Sequence, residues 1–114
     1  MANTFKLKTK ASLTTSLAAV YTVPSSKTAI ILAISLANKT GSAVTSDVLV
    51  VSDTSDTETN ANSYLLKGAP VPSGSTLEIM QGNKLVLQTT DVLQAKASAG
   101  TSVDVIVSLM EMDV

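Results

Sequence analysis

The chain has 114 residues, enough for one domain with little room for a second, and its 45% hydrophobic and 15% charged residues place it well clear of the disordered class. It contains no His, Cys, Arg or Trp, which removes the commonest general base and metal ligand, any thiol nucleophile or disulfide framework, and the residues that usually grip phosphates. Eight basic against nine acidic residues leave a net charge of −1, so nucleic acid is not an expected partner.

Frequent Ser and Thr interleave with Val, Leu and Ile, a composition suited to pleated strands with one dry and one wet face. Phe5 and Leu7 alternate with Lys6, Lys8 and Lys10, which predicts a first strand over Thr4 to Lys10 with the lysines on one solvated side. Ala11 to Ala19 reads as an irregular connection, and Val20 to Val23 as the next strand. Pro24-Ser25-Ser26-Lys27 then turns the chain. Thr28 to Asn38 carries the strongest pattern, with Ile30, Leu32, Ile34 and Leu36 on one face and Ala29, Ile31, Ala33, Ser35 and Ala37 on the other. Strict alternation predicts a central strand covered on both faces. Asn38 to Ser42 makes a hairpin turn, and Val44 to Ser52 returns as a strand.

A polar acidic loop follows over Asp53 to Asn62, with order resuming at Tyr64-Leu65-Leu66. Ala69 to Ser75 holds two prolines and predicts a rigid corner between sheets. Short strands are expected at Thr76 to Met80, Lys84 to Gln88 and Val92 to Ala97. Val103 to Glu111 closes the chain, with Val103, Val105, Val107 and Leu109 as a core face. The phrase Val23-Pro24-Ser25-Ser26-Lys27-Thr28 returns as Val71-Pro72-Ser73-Gly74-Ser75-Thr76, which predicts one type of sandwich corner used twice. About eight short strands separated by Gly, Pro and Asn turns predict an all-β antiparallel sandwich of Greek-key or jelly-roll type, one domain over 1–114.

Candidate chemistry is sparse. Asp53, Asp56, Glu58 and Asn60 offer oxygen ligands for a hard cation, but their spacing is not that of a calcium loop and they read first as a solvated loop. Asp91 and Asp104 have no aromatic platform beside them, and Ser42, Ser73 and Ser75 have no histidine to activate them. No catalytic, cofactor-binding or metal-binding residue is therefore assigned, and an enzyme is not expected. The N-terminus shows no basic-then-apolar leader, and the apolar run Ala29 to Ala37 is too short to cross a bilayer as a helix, so cytoplasmic synthesis without membrane contact is expected. A domain this small with no staple gains from sharing surface with copies of itself, a trimer being favoured. The segments Ala2 to Lys10 and Met110 to Val114, with Met112 in an apolar tail, are the expected docking arms.

Several phrases together carry a resemblance. Tyr21-Thr22-Val23-Pro24-Ser25-Ser26-Lys27-Thr28-Ala29 leads into a hydrophobic strand ending Ser35-Leu36-Ala37-Asn38. Tyr64-Leu65, Ala69 to Ser75, Lys84 to Leu87, and Ser102 to Val105 through Leu109-Met110-Glu111 continue the likeness across residues 20–111. The chain resembles small virion structural proteins of tailed bacteriophages. That resemblance implies a non-enzymatic virion component: a capsid decoration (cement) protein, or a subunit of a head fibre, neck or tail. It brings no site residues with it.

Overall fold

Pairing between two long strands builds the frame of the computed structural model, which describes residues 3–52, 61–80 and 82–114. These are β3 (Lys27–Asn38) and β9 (Val103–Asp113), antiparallel along almost their whole length. Around them lie β1 (Asn3–Lys10), β2 (Ala18–Thr22), β4 (Val44–Val51), β5 (Ser63–Val71), β6 (Thr76–Glu78), β7 (Leu85–Leu87) and β8 (Val92–Ala97). One sheet runs β1-β9-β3-β6, with β7 sharing the β6 edge of β3, and the second runs β2-β8-β4-β5. Every pairing is antiparallel.

If β6 and β7 are taken as one interrupted strand, the pairs nest: β1 with β9, β2 with β8, β3 with β6 and β7, and β4 with β5. This is the jelly-roll arrangement of two packed antiparallel sheets. Val105, Val107 and Leu109 from one sheet meet Val48, Ala95 and Leu93 from the other in a continuous aliphatic core. Val103, Val105, Val107 and Leu109 all face inward, as their alternation requires.

Alternation along β3 breaks at one point. The register shifts between Ile31 and Ala33, leaving Leu32 as an extra residue. Ala29 and Ile31 face the core before this bulge and Ile34 and Leu36 after it, so Ile30 and Leu32 do not share the face of Ile34 and Leu36. The uniform two-face split expected for Thr28 to Asn38 is therefore incorrect, because one inserted residue reverses the parity of everything beyond it. Nor is β3 covered on both sides: its second face lies on the outside of the sandwich, half-buried by side chains of its own sheet. The break between β6 and β7 falls opposite the bulge, since β6 pairs with Ser35 to Ala37 and β7 with Ala29 to Ile31.

The two Val-Pro-Ser phrases do the same job. Each carries the chain from the second sheet to the first, from β2 to β3 and from β5 to β6. Val23 and Val71 are both buried, and the fourth position is left-handed in both, at φ 59° for Ser26 and 67° for Gly74. The expected corner over Ala69 to Ser75 starts later than its prolines suggest. Pro70 lies inside β5, opposite Thr45, and is tolerated because β5 is a sheet edge that needs no outward donor.

The buried polar groups are fully partnered among the described residues. Asn38 donates to the carbonyls of Ser42 and Val71 at 2.8 and 2.9 Å, and its Oδ1 accepts from the N–H and hydroxyl of Thr40 at 3.0 and 2.7 Å. That single side chain ties the β3–β4 turn to the end of β5. The C-terminal segment is no free arm, because Met110 to Asp113 belong to β9 and the Val114 N–H donates to the Ser26 carbonyl at 3.1 Å. Residues 3–10 of the other expected arm likewise form β1, paired in full with β9.

Two stability series follow from this geometry. In urea denaturation, Ile34→Ala should cost about 2–5 kcal/mol as a core truncation, and Ile30→Ala about 1 kcal/mol or less. Equal losses would contradict the parity reversal at Leu32. At the corners, Gly74→Ala should cost about 1–2 kcal/mol although its new Cβ would meet no atom within 4 Å, whereas Ser26→Gly should be neutral or stabilising.

Candidate functional site

The polar sites named from sequence do not assemble into a catalytic centre among the described residues. Asp53, Asp56, Glu58 and Asn60 lie outside the described residues. Asp91 is buried and accepts the Gln88 N–H at 3.0 Å, closing the β7–β8 turn. Asp104 accepts the Ser12 N–H at 2.8 Å and pairs with Lys39 at 2.9 Å. Lys39 and the Ser12 N–H hold its pKa below the ordinary carboxylate range. Ser73 donates to the Thr40 carbonyl at 2.8 Å and Ser75 to the Ser73 carbonyl at 3.5 Å, both local turn bonds. No cluster of three or more acidic side chains is placed to hold a metal ion among the described residues.

A shallow depression lined by Thr15, Thr45, Asp47, Lys96, Ala97 and Ser98 opens on the outside of the second sheet. Its one buried carboxylate is already engaged. Asp47 accepts the Gly68 N–H at 2.6 Å and lies 3.4 and 3.6 Å from the ammoniums of Lys67 and Lys96. Burial works to raise its pKa, but the Gly68 N–H and the two lysines outweigh that and leave it lowered. These contacts fasten the bulged β5 to β4 and β8 and account for all the charge there.

The unexpected geometry is at β1. Opposed residues on paired strands share a face, so the register sets Thr4, Lys6, Lys8 and Lys10 beside Glu111, Leu109, Val107 and Val105 on the inner side of the sheet. The solvated lysine face expected from sequence is thus the one turned toward the second sheet. Lysines fit there because β1 is an edge: their stems lie along the rim while the ammoniums reach water. A buried acid engages one of them. Glu111 is 2% exposed, pairs with Lys6 at 2.9 Å and accepts the Tyr21 hydroxyl at 2.6 Å. Tyr21 comes from β2, so this network joins the two sheets at their open rim. The Tyr21 hydroxyl, then Lys6, hold the Glu111 pKa below its usual range against the opposing effect of burial. Burial and the adjacent carboxylate push the Tyr21 phenol well above its own.

With the lysines inside, Phe5 and Leu7 must point outward, and they are 73% and 64% exposed. Phe5 lies opposite Met110, Met110 opposite Ile30, and Ile30 opposite Val86, so four strands contribute one apolar row across the outer face. Beside it run Leu7, Ser108 and Ala33, then Thr9, Ile106, Ser35 and Glu78. Val86 and Ile106 are 58% and 43% exposed. Among the described residues, charges beside these rows include Glu78, which accepts the Ser35 hydroxyl, and Asp104 beside Lys39. With strands about 4.8 Å apart and about 3.3 Å per residue, the face measures on the order of 400–500 Å². Apolar side chains share that face with Thr9, Ser35 and Ser108, and its size is that of the largest patch on an ordinary monomer, a kind of patch that is often functional. Its signal, the alternation of Phe5 and Leu7 with lysines, is present in the sequence; the direction of each set is not.

The buried acid sets a pH dependence. A carboxylate with a lowered folded pKa lends stability that is complete above its unfolded value, about 4.3, and is lost as pH falls through the folded value. The raised Tyr21 lends stability that is complete below about pH 10 and lost as pH rises through its folded value. Glu111→Gln should cost about 1–3 kcal/mol near pH 7, with the difference from wild type narrowing below about pH 4. Thermal melts across pH would read this, and a constant difference down to pH 2 would contradict it.

No protein-family model matches the chain, and no curated protein matches it. Among solved structures it is similar to a chain from work described as "Bacillus endospore appendages form a novel family of disulfide-linked pili". That similarity has a TM-score of 0.51 at 13% identity and covers 99% of this chain and 88% of that one. At this identity the likeness is one of fold, and it matches the two-sheet sandwich described above over essentially its whole length.

Proposed function

We propose that the protein is a non-enzymatic structural subunit of a bacteriophage virion, a capsid decoration protein that forms homo-oligomers and seats on the capsid surface. The observation that carries this reading is the apolar outer face built from Phe5, Leu7, Ile30, Val86, Ile106 and Met110. A sheet face with exposed apolar rows suits burial against another protein, and among the described residues it gathers no convergent polar groups for a small substrate. A chain of 114 residues with no disulfide gains the buried surface it lacks by covering that face. The jelly-roll frame agrees with a structural role, and the resemblance of residues 20–111 to small virion proteins of tailed phages supplies the particle. Its mechanism is mechanical: association removes apolar area from water at about 25 cal/mol per Å² before the costs of association are subtracted.

The fold likeness to a chain from bacterial pili favours a second reading, a subunit of an open-ended filament. Having no cysteine, this chain would have to link its copies without disulfides.

Light scattering on the purified protein, with pelleting against capsids that lack it, tests both. A closed oligomer, trimer foremost, that sediments with capsids is expected. Phe5→Ser combined with Leu7→Ser should abolish sedimentation and lower the oligomer mass while leaving the monomer folded, because neither side chain reaches the core. Filaments visible by electron microscopy without capsids would move the reading to the second, and a strict monomer indifferent to capsids would overturn both.

A further inference from the structure

We infer that β1 is an exchangeable strand, which in the assembled protein leaves its own β9 and pairs with β9 of a second copy of this chain. This inference rests on the self-assembly proposed above and names one contact that holds it together.

β1 is attached in a way no other long strand is. Across its eight residues, Asn3 to Lys10, no side chain is buried, whereas every other strand of five or more residues contributes to the core. What holds it is the backbone ladder to β9 together with the Lys6–Glu111 pair. A second copy presents both features in identical form, so exchange conserves every bond and leaves the apolar core intact. Departure of β1 alone would strand Glu111, a buried carboxylate, without its cation. The vacated edge therefore selects a replacement strand with a lysine at the position of Lys6, and another β1 meets that requirement by construction.

A hinge lies in the right place. Ser12 is left-handed, at φ 59°, immediately before a fixed anchor. Leu13 is fully buried, its N–H donates to the Val103 carbonyl at 2.8 Å, and its carbonyl accepts the Thr101 N–H at 3.1 Å. Ser12 is pinned as well, its N–H on Asp104 and its hydroxyl accepting from the Lys39 ammonium, both at 2.8 Å, so rotation about Ala11 swings residues 3–10 as a unit and leaves Ser12, Leu13, β2 and the core in place. Phe5 and Leu7 travel with the strand, and exchange would make the outer apolar face of each copy partly the property of its neighbour.

Lys8 and Val107 are register partners on the inner face, and the native chain has no cysteine. Two differently tagged chains, one carrying only Lys8→Cys and the other only Val107→Cys, are co-expressed and oxidised. Because both positions face inward, copies stacked on their outer faces cannot join them. Exchange predicts a disulfide-linked hybrid of the two tagged chains as the major oxidised product. The double variant Lys8→Cys/Val107→Cys should then give covalent multimers in place of internally closed monomers. Oligomers by light scattering with no hybrid, and a double variant that closes within one chain, would overturn the exchange while leaving the assembly reading intact; monomers throughout would overturn both. If Val107→Cys does not fold, charge reversal replaces it. Chains carrying Lys6→Glu or Glu111→Lys should each melt early alone and melt at a higher temperature than either when co-folded in equal amounts. No rise on co-folding would sink the exchange.

Discussion

The antiparallel pairing of β3 with β9 is the constraint on which the rest of this sandwich depends. Eleven aligned positions, from Lys27 against Asp113 to Asn38 against Val103, fix which side of each strand meets the second sheet. Side chains alternate with a period of two, so this one register decides the fate of every residue on both strands. It sends Val103, Val105, Val107 and Leu109 into the core, and carries Glu111 along the same face to the rim. A buried carboxylate on an otherwise aliphatic face then has to be met by Tyr21 from across the sandwich and by Lys6 from the neighbouring edge. Once Lys6 is committed inward, the pleat turns Phe5 and Leu7 out.

The apolar outer face is thus a consequence of the core rather than an independent feature. Its row of Phe5, Met110, Ile30 and Val86 exists because β1, β9, β3 and β7 hold one register. The opposite sheet shows what an ordinary outer face looks like in this protein. There Asp47 is bound by Lys67, Lys96 and the Gly68 N–H, and Lys67 lies 4.7 Å from the centroid of the Tyr64 ring. On the second sheet the charges of Asp47, Lys67 and Lys96 meet within the face, whereas on the first Glu78 and the Asp104–Lys39 pair lie beside the apolar rows. That difference is the physical basis for the proposal that the molecule is a component of an assembly.

Much of the architecture was legible before any coordinates. Strand positions were readable from alternation and turn residues, and the repeated Val-Pro-Ser phrase correctly marked two equivalent corners, each a crossing between sheets with a left-handed fourth residue. In sequence Pro70 looks like a breaker and puts the start of the second corner too early; only its place on an edge strand makes it harmless. The bulge at Leu32 was illegible for a different reason. Nothing in Ile30-Ile31-Leu32-Ala33-Ile34 distinguishes the inserted residue from its neighbours, since all are apolar and any of them could serve on either face. Which one is extruded depends on the register with β9 and on the gap between β6 and β7 opposite it.

By itself, the amino-acid sequence determined the class of this protein and the limits on its chemistry. A chain rich in Val, Leu, Ser and Thr favours pleated sheets, and with no His or Cys it has neither imidazole nor thiol chemistry. It also determined that β1 is amphipathic, because Phe5 and Leu7 alternate with Lys6, Lys8 and Lys10. Tertiary structure alone decided which half of that alternation faces inward. A strand's pattern is symmetric under exchange of its two faces, and the choice is expressed in the register with β9, which sets the lysines on the inner side, where Lys6 meets the buried Glu111, and leaves the hydrophobic side exposed.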